Sequence, residues 1–330
     1  MKAFVISDTH ISDDNIREEA YLRVFGYIES LLRQNFPHFY LHLGDVFEDR
    51  SPSPQCLEFF LTHLFRVLKT VDRVILLKGN HDCIDNKNSS LDFLRPLCHH
   101  FPITVLENPS IVDLGKAKVF LGHFDVEEAK VGAKRRKLYL GVSQKSLIEE
   151  HPNVKYFLLG HIHSPQILSQ NPLIFVPGSI YPFTFAERLD KKFAYLLDLD
   201  TGEICKFPLP IPKLIQVEIN LIDKSISIEG KRIQQYQEVA HITDSARVKC
   251  ILWGNNRLFI KLDFFKLKAL LFPQASSVNV EYREVSDANS TAPSFSGATM
   301  RELFSEYLES LGLEPQVKDF CLSLFNKKVK

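Results

Sequence analysis

Five short apolar runs in the first half of the chain stop abruptly at residues able to bind a metal or move a proton. KAFVIS (2–7) stops at Asp8, Thr9 and His10, and YLHLG (40–44) at Asp45. VILLKG (74–79) stops at Asn80, His81 and Asp82, KVFLG (118–122) at His123, and YFLLG (156–160) at His161 and His163. A sixth run, LIFVPG (173–178), has no such tip. Runs this short and this aliphatic read as buried strands. Leu22, Phe25, Ile28 and Leu32 repeat at helical spacing within 16–35. Leu57, Leu61, Leu64 and Leu68 do so within 55–71, after a Ser51-Pro-Ser-Pro54 helix start. Strand–helix–strand alternation predicts an α/β layered domain, with β-sheet flanked by helices. In an open sheet of this kind the carboxyl ends of the strands share one rim, where ligands bind. Gly before several tips lets the backbone turn sharply. The fold therefore gathers Asp8, His10, Asp45, Asn80, His123, His161 and His163 in one place.

Seven imidazole, carboxylate and amide donors are too many for one tetrahedral ion and suit two divalent cations. The mixture favours Mn, Fe, Zn or a similar metal over Mg or Ca alone. Two such ions about 3.5–4 Å apart lower the pKa of a shared water and hold both oxygens of an in-line phosphoryl displacement. One GxH or DxH carries little weight, because a lone His after an apolar strand is usually structural. His42, within YLHLG, reads that way. The weight lies in five tips occurring in order.

The length of 330 residues fits two domains better than one. A proline-rich connector, FPLPIPKL (207–214), closes a first domain at 1–212. Residues 213–285 read as a smaller α+β domain. Its strands are IQVEIN, VKCILWG and SVNVEYREV, with a turn at Asn255-Asn256 and a helix over LDFFKLKALLF. Residues 286–298 lack an apolar period and read as a flexible linker. In 299–330, Met300, Leu303, Phe304, Tyr307, Leu308 and Leu311, then Val317, Phe320, Leu322 and Phe325, make two amphipathic helices separated by Gly312 and Pro315. They either pack back on the chain or clasp a partner. The helix at 55–71 is apolar almost all round, with Cys56, Phe59, Phe60, Phe65 and Val67 beside its leucines. One sheet covers only one stripe of a helix. The helix is either deeply buried in its own domain or turned to a second subunit, which would make a homodimer. Scattered cysteines without a CxxC pair favour reduced thiols in the cytoplasm. No signal-peptide pattern and no membrane-spanning apolar run is present in the sequence. The formal net charge is +0, so any nucleic-acid contact must come from a local patch.

The ordered set DTH, GDVFEDR, GNHD, GH and GHIH resembles the calcineurin-like metallophosphoesterase superfamily, over residues 1–205. The resemblance implies that Asp8, His10, Asp45 and His163 hold one metal. It implies that Asp45, Asn80, His123 and His161 hold the other, with Asp45 bridging. His81 would sit beside the scissile phosphate, as general acid or as stabiliser of developing charge. Within the superfamily the chain looks most like the SbcD family of DNA-repair nucleases, in a compact form such as phages carry. DTH opens the protein at residue 8, and the third motif reads GNHD where Ser/Thr protein phosphatases read GNHE. A smaller domain, a linker and a helix pair then follow.

That likeness implies hydrolysis of DNA phosphodiesters in repair and recombination, exonucleolytic from 3′ ends and endonucleolytic at hairpins. It implies two Mn2+ ions, a DNA-capping role for 213–285, and docking of the helices at 299–330 on an SbcC-like coiled-coil ATPase. The setting would be the cytoplasm, of the host if the chain is phage-encoded. Archaeal and eukaryotic relatives carry a His three residues after the bridging Asp, where this chain has Glu48. A second catalytic His is therefore not carried over. Glu48 either orients a ligand or a water, or faces solvent. Arg50 either reaches a phosphate or pairs with Asp49.

For DNA, the local basic stretch is KVGAKRRK (130–137). Its Lys134, Arg135, Arg136 and Lys137 either neutralise backbone phosphates or form a solvated loop. Lys261, Lys266 and Lys268, on one predicted helix, are weaker candidates. Cys83 has no base beside it and is not expected to act as a nucleophile; His99 and His100 read as surface. Two rivals share the scaffold. One is a phosphomonoesterase or small-nucleotide phosphodiesterase, the other a subunit that positions DNA for its partner.

Overall fold

A computed structural model of the protein describes residues 1–85, 88–132, 136–139 and 141–285. They fall into two compact units, one over Met1–Leu214 and one starting at Ile215.

The first unit contains thirteen strands: β1 (Lys2–Ile6), β2 (Phe39–His42), β3 (Arg73–Leu77), β4 (Ile103–Leu106), β5 (Ser110–Leu114), β6 (Ala117–His123), β7 (Lys130–Val131), β8 (Arg136–Lys137), β9 (Tyr156–Gly160), β10 (Gln166–Gln170), β11 (Leu173–Val176), β12 (Phe193–Asp198) and β13 (Ile204–Pro208). Its α-helices are α1 (Glu19–Asn35), α2 (Pro54–Val67), α3 (Arg95–Cys98) and α4 (Gln144–Glu150). The sequence predicts one sheet rim, whereas the structure divides the tips between two sheets. One sheet runs β13-β12-β1-β2-β3-β4, with β1 to β4 parallel. The other runs β10-β11-β9-β6-β5, with β6, β9 and β11 parallel.

Alternation along the strands explains the layering. Ala3, Val5, Leu41, Leu43, Ile75 and Leu77 face the second sheet and pack on its Val119, Leu121, Leu158 and Phe175. Phe4, Ile6, Tyr40, Val74 and Leu76 face the other way, onto Tyr21, Phe25 and Ile28 of α1 and Phe60 and Leu64 of α2. Phe157 and Leu159 of β9 meet Leu147 of α4. Strands covered on both faces must be apolar throughout, which is why the runs read as continuous. The result is helix, sheet, sheet, helix, with both sets of carboxyl ends at one edge.

The α2 start is the expected one: the Ser53 hydroxyl accepts from the Cys56 N–H, and Pro54 follows. Around its circumference, Leu57, Phe59, Leu61 and Leu68 pack on the same core as Phe60, Leu64 and Val67. Phe65 sets its ring edge-on to Phe101. Most of the apolar girth of α2 is thus covered within its own unit.

The second unit is a sheet of order β16-β15-β14-β17-β18, made from β14 (Leu214–Asn220), β15 (Ser225–Ile228), β16 (Lys231–Ile233), β17 (Arg247–Gly254) and β18 (Ser277–Glu284). Helices α5 (Tyr236–Ile242), α6 (Asn256–Lys261) and α7 (Phe264–Leu271) accompany it. Its core includes Val217, Val239, Val248, Cys250, Leu252 and Leu271. Asn255 and Asp263 cap α6 and α7 by accepting from the N–H groups of Leu258 and Lys266. Lys261 therefore ends α6, a helix the sequence does not predict, while Lys266 and Lys268 lie on α7, so the three lysines do not share one helix. The predicted linker and helix pair beyond 285 lie outside the described residues. Cys56, Cys83, Cys98, Cys205 and Cys250 are free thiols. Among the described residues no helix is long and apolar enough to cross a membrane.

Candidate metal centre

The tips of the strands are left-handed and tightly held. Asp8, His10, Asp45 and His161 have φ of 51°, 45°, 52° and 82°. Non-glycine residues stay there only when their surroundings impose it. The imposing contacts are visible. The Asp8 N–H donates to Gly44 O (3.0 Å), the His10 N–H to Asp45 O (3.1 Å) and the Ile11 N–H to Val46 O (2.9 Å). These bonds stitch the end of β1 to the end of β2. Asp82, fully buried, accepts from the N–H groups of Val46 (3.2 Å), Phe47 (3.1 Å) and Gly79 (2.9 Å). That ties β2 to β3 and gives the last residue of GNHD a structural role that the motif does not reveal. The backbone at Gly79 passes so near Asp45 that a Cβ would collide with its carboxylate. The His161 N–H donates to both Asp8 carboxylate oxygens at 3.2 Å, locking the second sheet to the first.

All seven predicted ligand residues converge, in two groups. Asp8, His10 and His163 offer one donor atom each within 4.8 Å of one another, and so do Asp45, His123 and His161. Asn80 Oδ1 joins the second group, 3.1 Å from His123 Nε2 and 2.9 Å from His161 Nδ1. Asp45 Oδ2 lies 3.1 Å from His123 Nε2 and 3.7 Å from His10 Nε2, so it faces both groups.

Their chemistry fits bound cations. His123 gives its Nδ1 proton to the Leu43 carbonyl at 2.7 Å. In the neutral ring Nε2 is a lone pair directed at a carboxylate and an amide oxygen; in the charged ring the Nε2–H donates to Asp45 Oδ2 at 3.1 Å. His10 Nδ1 lies 2.6 Å from Glu48 Oε2, and His163 Nδ1 lies 3.3 Å from Glu187 Oε1. Ring protons held on Nδ1 beside those carboxylates would leave two Nε2 lone pairs facing each other at 3.1 Å. With the rings neutral, these lone pairs and oxygens converge as a cation would require. Without an ion, ring protons take the cation's place. Burial alone would raise the Asp45 carboxyl, but the His123 hydrogen bond and charge, His10 and the His81 N–H hold it far below the carboxylate range. Burial alone would lower His123, yet Asp45, Asp8 and the Leu43 carbonyl lift it to about 9.

Five neighbours complete the site. His81 donates from Nδ1 to the Glu48 carbonyl (2.8 Å), and its backbone N–H donates to Asp45 Oδ1 (2.9 Å). The Phe183 ring stands edge-on to His10 at 4.9 Å and to His163 at 5.9 Å, an apolar wall on one side. Glu48, one of the open positions in the sequence, turns inward, and with His10 and His81 forms a third close donor group. Glu187 and Lys192 carry no motif signal. Lys192 is buried and donates to Glu187 Oε2 (2.6 Å), Ser179 Oγ (2.8 Å) and His163 O (2.9 Å). The opposed charges hold Glu187 down at about 2 against its burial.

Other sequence candidates lie elsewhere or outside the described residues. His42 is fully buried, with Nε2 3.0 Å from the Thr9 hydroxyl. Arg136 and Lys137 are exposed on β8, and Lys137 lies over the Tyr139 ring. Lys134 and Arg135 are outside the described residues. His99 and His100 are exposed.

Fold and site together make a layered α/β scaffold with two adjacent groups of possible metal ligands at one sheet edge. Residues 1–202 match the calcineurin-like phosphoesterase superfamily domain, and the chain belongs to that superfamily. The SbcD component of the SbcCD nuclease of Staphylococcus epidermidis is 26% identical over 145 residues, covering 41% of this chain and 38% of its own length. The DNA double-strand break repair protein Mre11 of Methanocaldococcus jannaschii is 23% identical over 327 residues, covering 88% of this chain and 83% of its own. A solved structure, the Pseudomonas putida nuclease MPE, is 18% identical, covering 63% of this chain and 87% of that chain at a TM-score of 0.30. The match thus spans well under half of the Staphylococcus relative.

Proposed function

We propose that this chain is a two-metal phosphodiesterase that cleaves DNA, with Mn2+ as its metal. Asp8, His10, Asp45 and His163 would hold one ion, and Asp45, Asn80, His123 and His161 the other. When bound, the ions supply electrophilic stabilisation of the phosphoryl oxygens. The observation that carries the reading is the convergence of seven possible ligand residues in two groups, around an Asp45 that faces both.

The remaining work falls to the chain's own groups. Glu48 and Glu187 turn the Nε2 atoms of His10 and His163 inward. Phe183 keeps water from that side. His81, anchored through Nδ1, presents Nε2 to the open side, where its protonated form can give a proton to the leaving oxygen. The names of the SbcD and Mre11 relatives support DNA as substrate, and the exposed Arg136 and Lys137 suit backbone phosphates. By the same likeness, residues 213–285 would cap the DNA, and the 299–330 segment would dock on an SbcC-like ATPase. A homodimer and a role in DNA repair belong to this proposal as well.

The test is purified protein with Mn2+ on end-labelled duplex DNA, beside a His81→Ala variant. The expected result is shortening that needs the metal, slowed roughly 10²–10⁴-fold in the variant. Rapid hydrolysis of p-nitrophenyl phosphate with untouched DNA would establish a phosphomonoesterase instead.

A further inference from the structure

Beside His81 lies a cleft of about 510 Å³, lined by Glu48, Asp49, Arg50, Ser51, Asn80 and His81. Its floor is rigid. The Glu48 N–H donates to Ile11 O (3.1 Å), and the Phe47 N–H to Asp82. The Phe47 ring is fully buried against Phe60 and Phe93. Beyond that floor, Asp49, Arg50 and Ser51 are exposed.

Three of the lining residues are already committed. Glu48 faces His10, Asn80 Oδ1 faces His123 and His161, and His81 Nδ1 faces the Glu48 carbonyl. Arg50 is not. Of the two alternatives in the sequence, the Asp49–Arg50 pair does not form, and Arg50 has no ion-pair partner among the described residues. A guanidinium offers several donors in a planar fork suited to phosphate. An unpaired one, two residues beyond the anchored Glu48 and next to the proposed reacting centre, is placed for an anion that reaches past that centre.

We propose that Arg50 binds a backbone phosphate adjacent to the scissile one, and so sets the preference for polynucleotides over small phosphodiesters. This rests on the DNA-cleaving reading above. A substrate with one phosphate leaves the cleft empty, whereas a strand threads its next phosphate into it. Asp49, lining the same cleft with the opposite charge, opposes the contact.

The experiment compares the Mn2+-loaded wild type with Arg50→Gln and Asp49→Asn on end-labelled duplex DNA and on bis(p-nitrophenyl) phosphate. Arg50→Gln should lower the ratio of the two kcat/KM values about tenfold, through KM for DNA, irrespective of base sequence. It should also reduce the slope of log affinity for DNA against log salt by about one. Asp49→Asn should move the ratio the other way. A wild type that cuts DNA while Arg50→Gln changes neither ratio nor slope overturns the assignment to Arg50. Equal loss on both substrates also overturns it, because the residue would then act on the centre itself. A wild type that hydrolyses the small diester but never DNA overturns the DNA-cleaving reading, and this inference with it.

Discussion

Glu187 Oε1 lies 3.3 Å from His163 Nδ1, although no sequence motif links the two residues. Its second oxygen accepts from the buried Lys192 at 2.6 Å. One carboxylate thus orients an imidazole and balances an interior ammonium. Glu187→Gln, which keeps the shape, should weaken Mn2+ binding 10–100-fold in calorimetric titration. Glu187→Ala also strands Lys192, and should cost about 3–5 kcal/mol in urea unfolding of the metal-free protein.

Gly79 is the second sensitive point. Its backbone runs against the Asp45 carboxylate, leaving no room for a methyl group. Gly79→Ala must displace Asp45 or the loop, at about 1–3 kcal/mol. Because Asp45 faces both donor groups, the same variant should lose Mn2+ affinity out of proportion to its loss of stability. Titration beside denaturation measures both.

His42 makes stability depend on acid. Burial holds its pKa at about 3, well below the ordinary 6.5. The unfolded chain therefore takes up the proton first as pH falls. The contribution of the neutral ring is complete above pH 6.5 and is lost between 6.5 and 3, at about 1.4 kcal/mol per pH unit. Wild type and His42→Gln, unfolded in urea at pH 7 and pH 5, should differ in that slope, the variant being flatter.

Metal should stabilise the first unit by mass action. At a hundredfold excess over Kd, Mn2+ contributes about 2.7 kcal/mol. For a unit of this size that raises Tm by roughly 5–10 °C. Scanning calorimetry with Mn2+ and then with EDTA should show the rise and its reversal.

The candidate ligand residues are legible in the sequence because buried strands leave a clear mark when they end in charge. Asp8, His10, Asp45, Asn80, His123, His161 and His163 all stand at such ends. The division of those ends between two sheets is not legible, because apolar runs do not say which run is their neighbour. Glu187 and Lys192 are invisible for a similar reason: their partners are distant in sequence and the contacts are tertiary. Glu48 is readable only as a departure, and its inward turn depends on where His10 lies. Helix α6 is missed because Asn255-Asn256 reads as a turn, whereas Asn255 caps a short helix by accepting from the Leu258 N–H.

The bonds from the His161 N–H to Asp8 join strands that leave the ribosome far apart in time. Until β9 is made, the basin has only one wall. A nascent chain that has not reached His161 cannot complete either donor group, so the basin can close only after both sheets have formed.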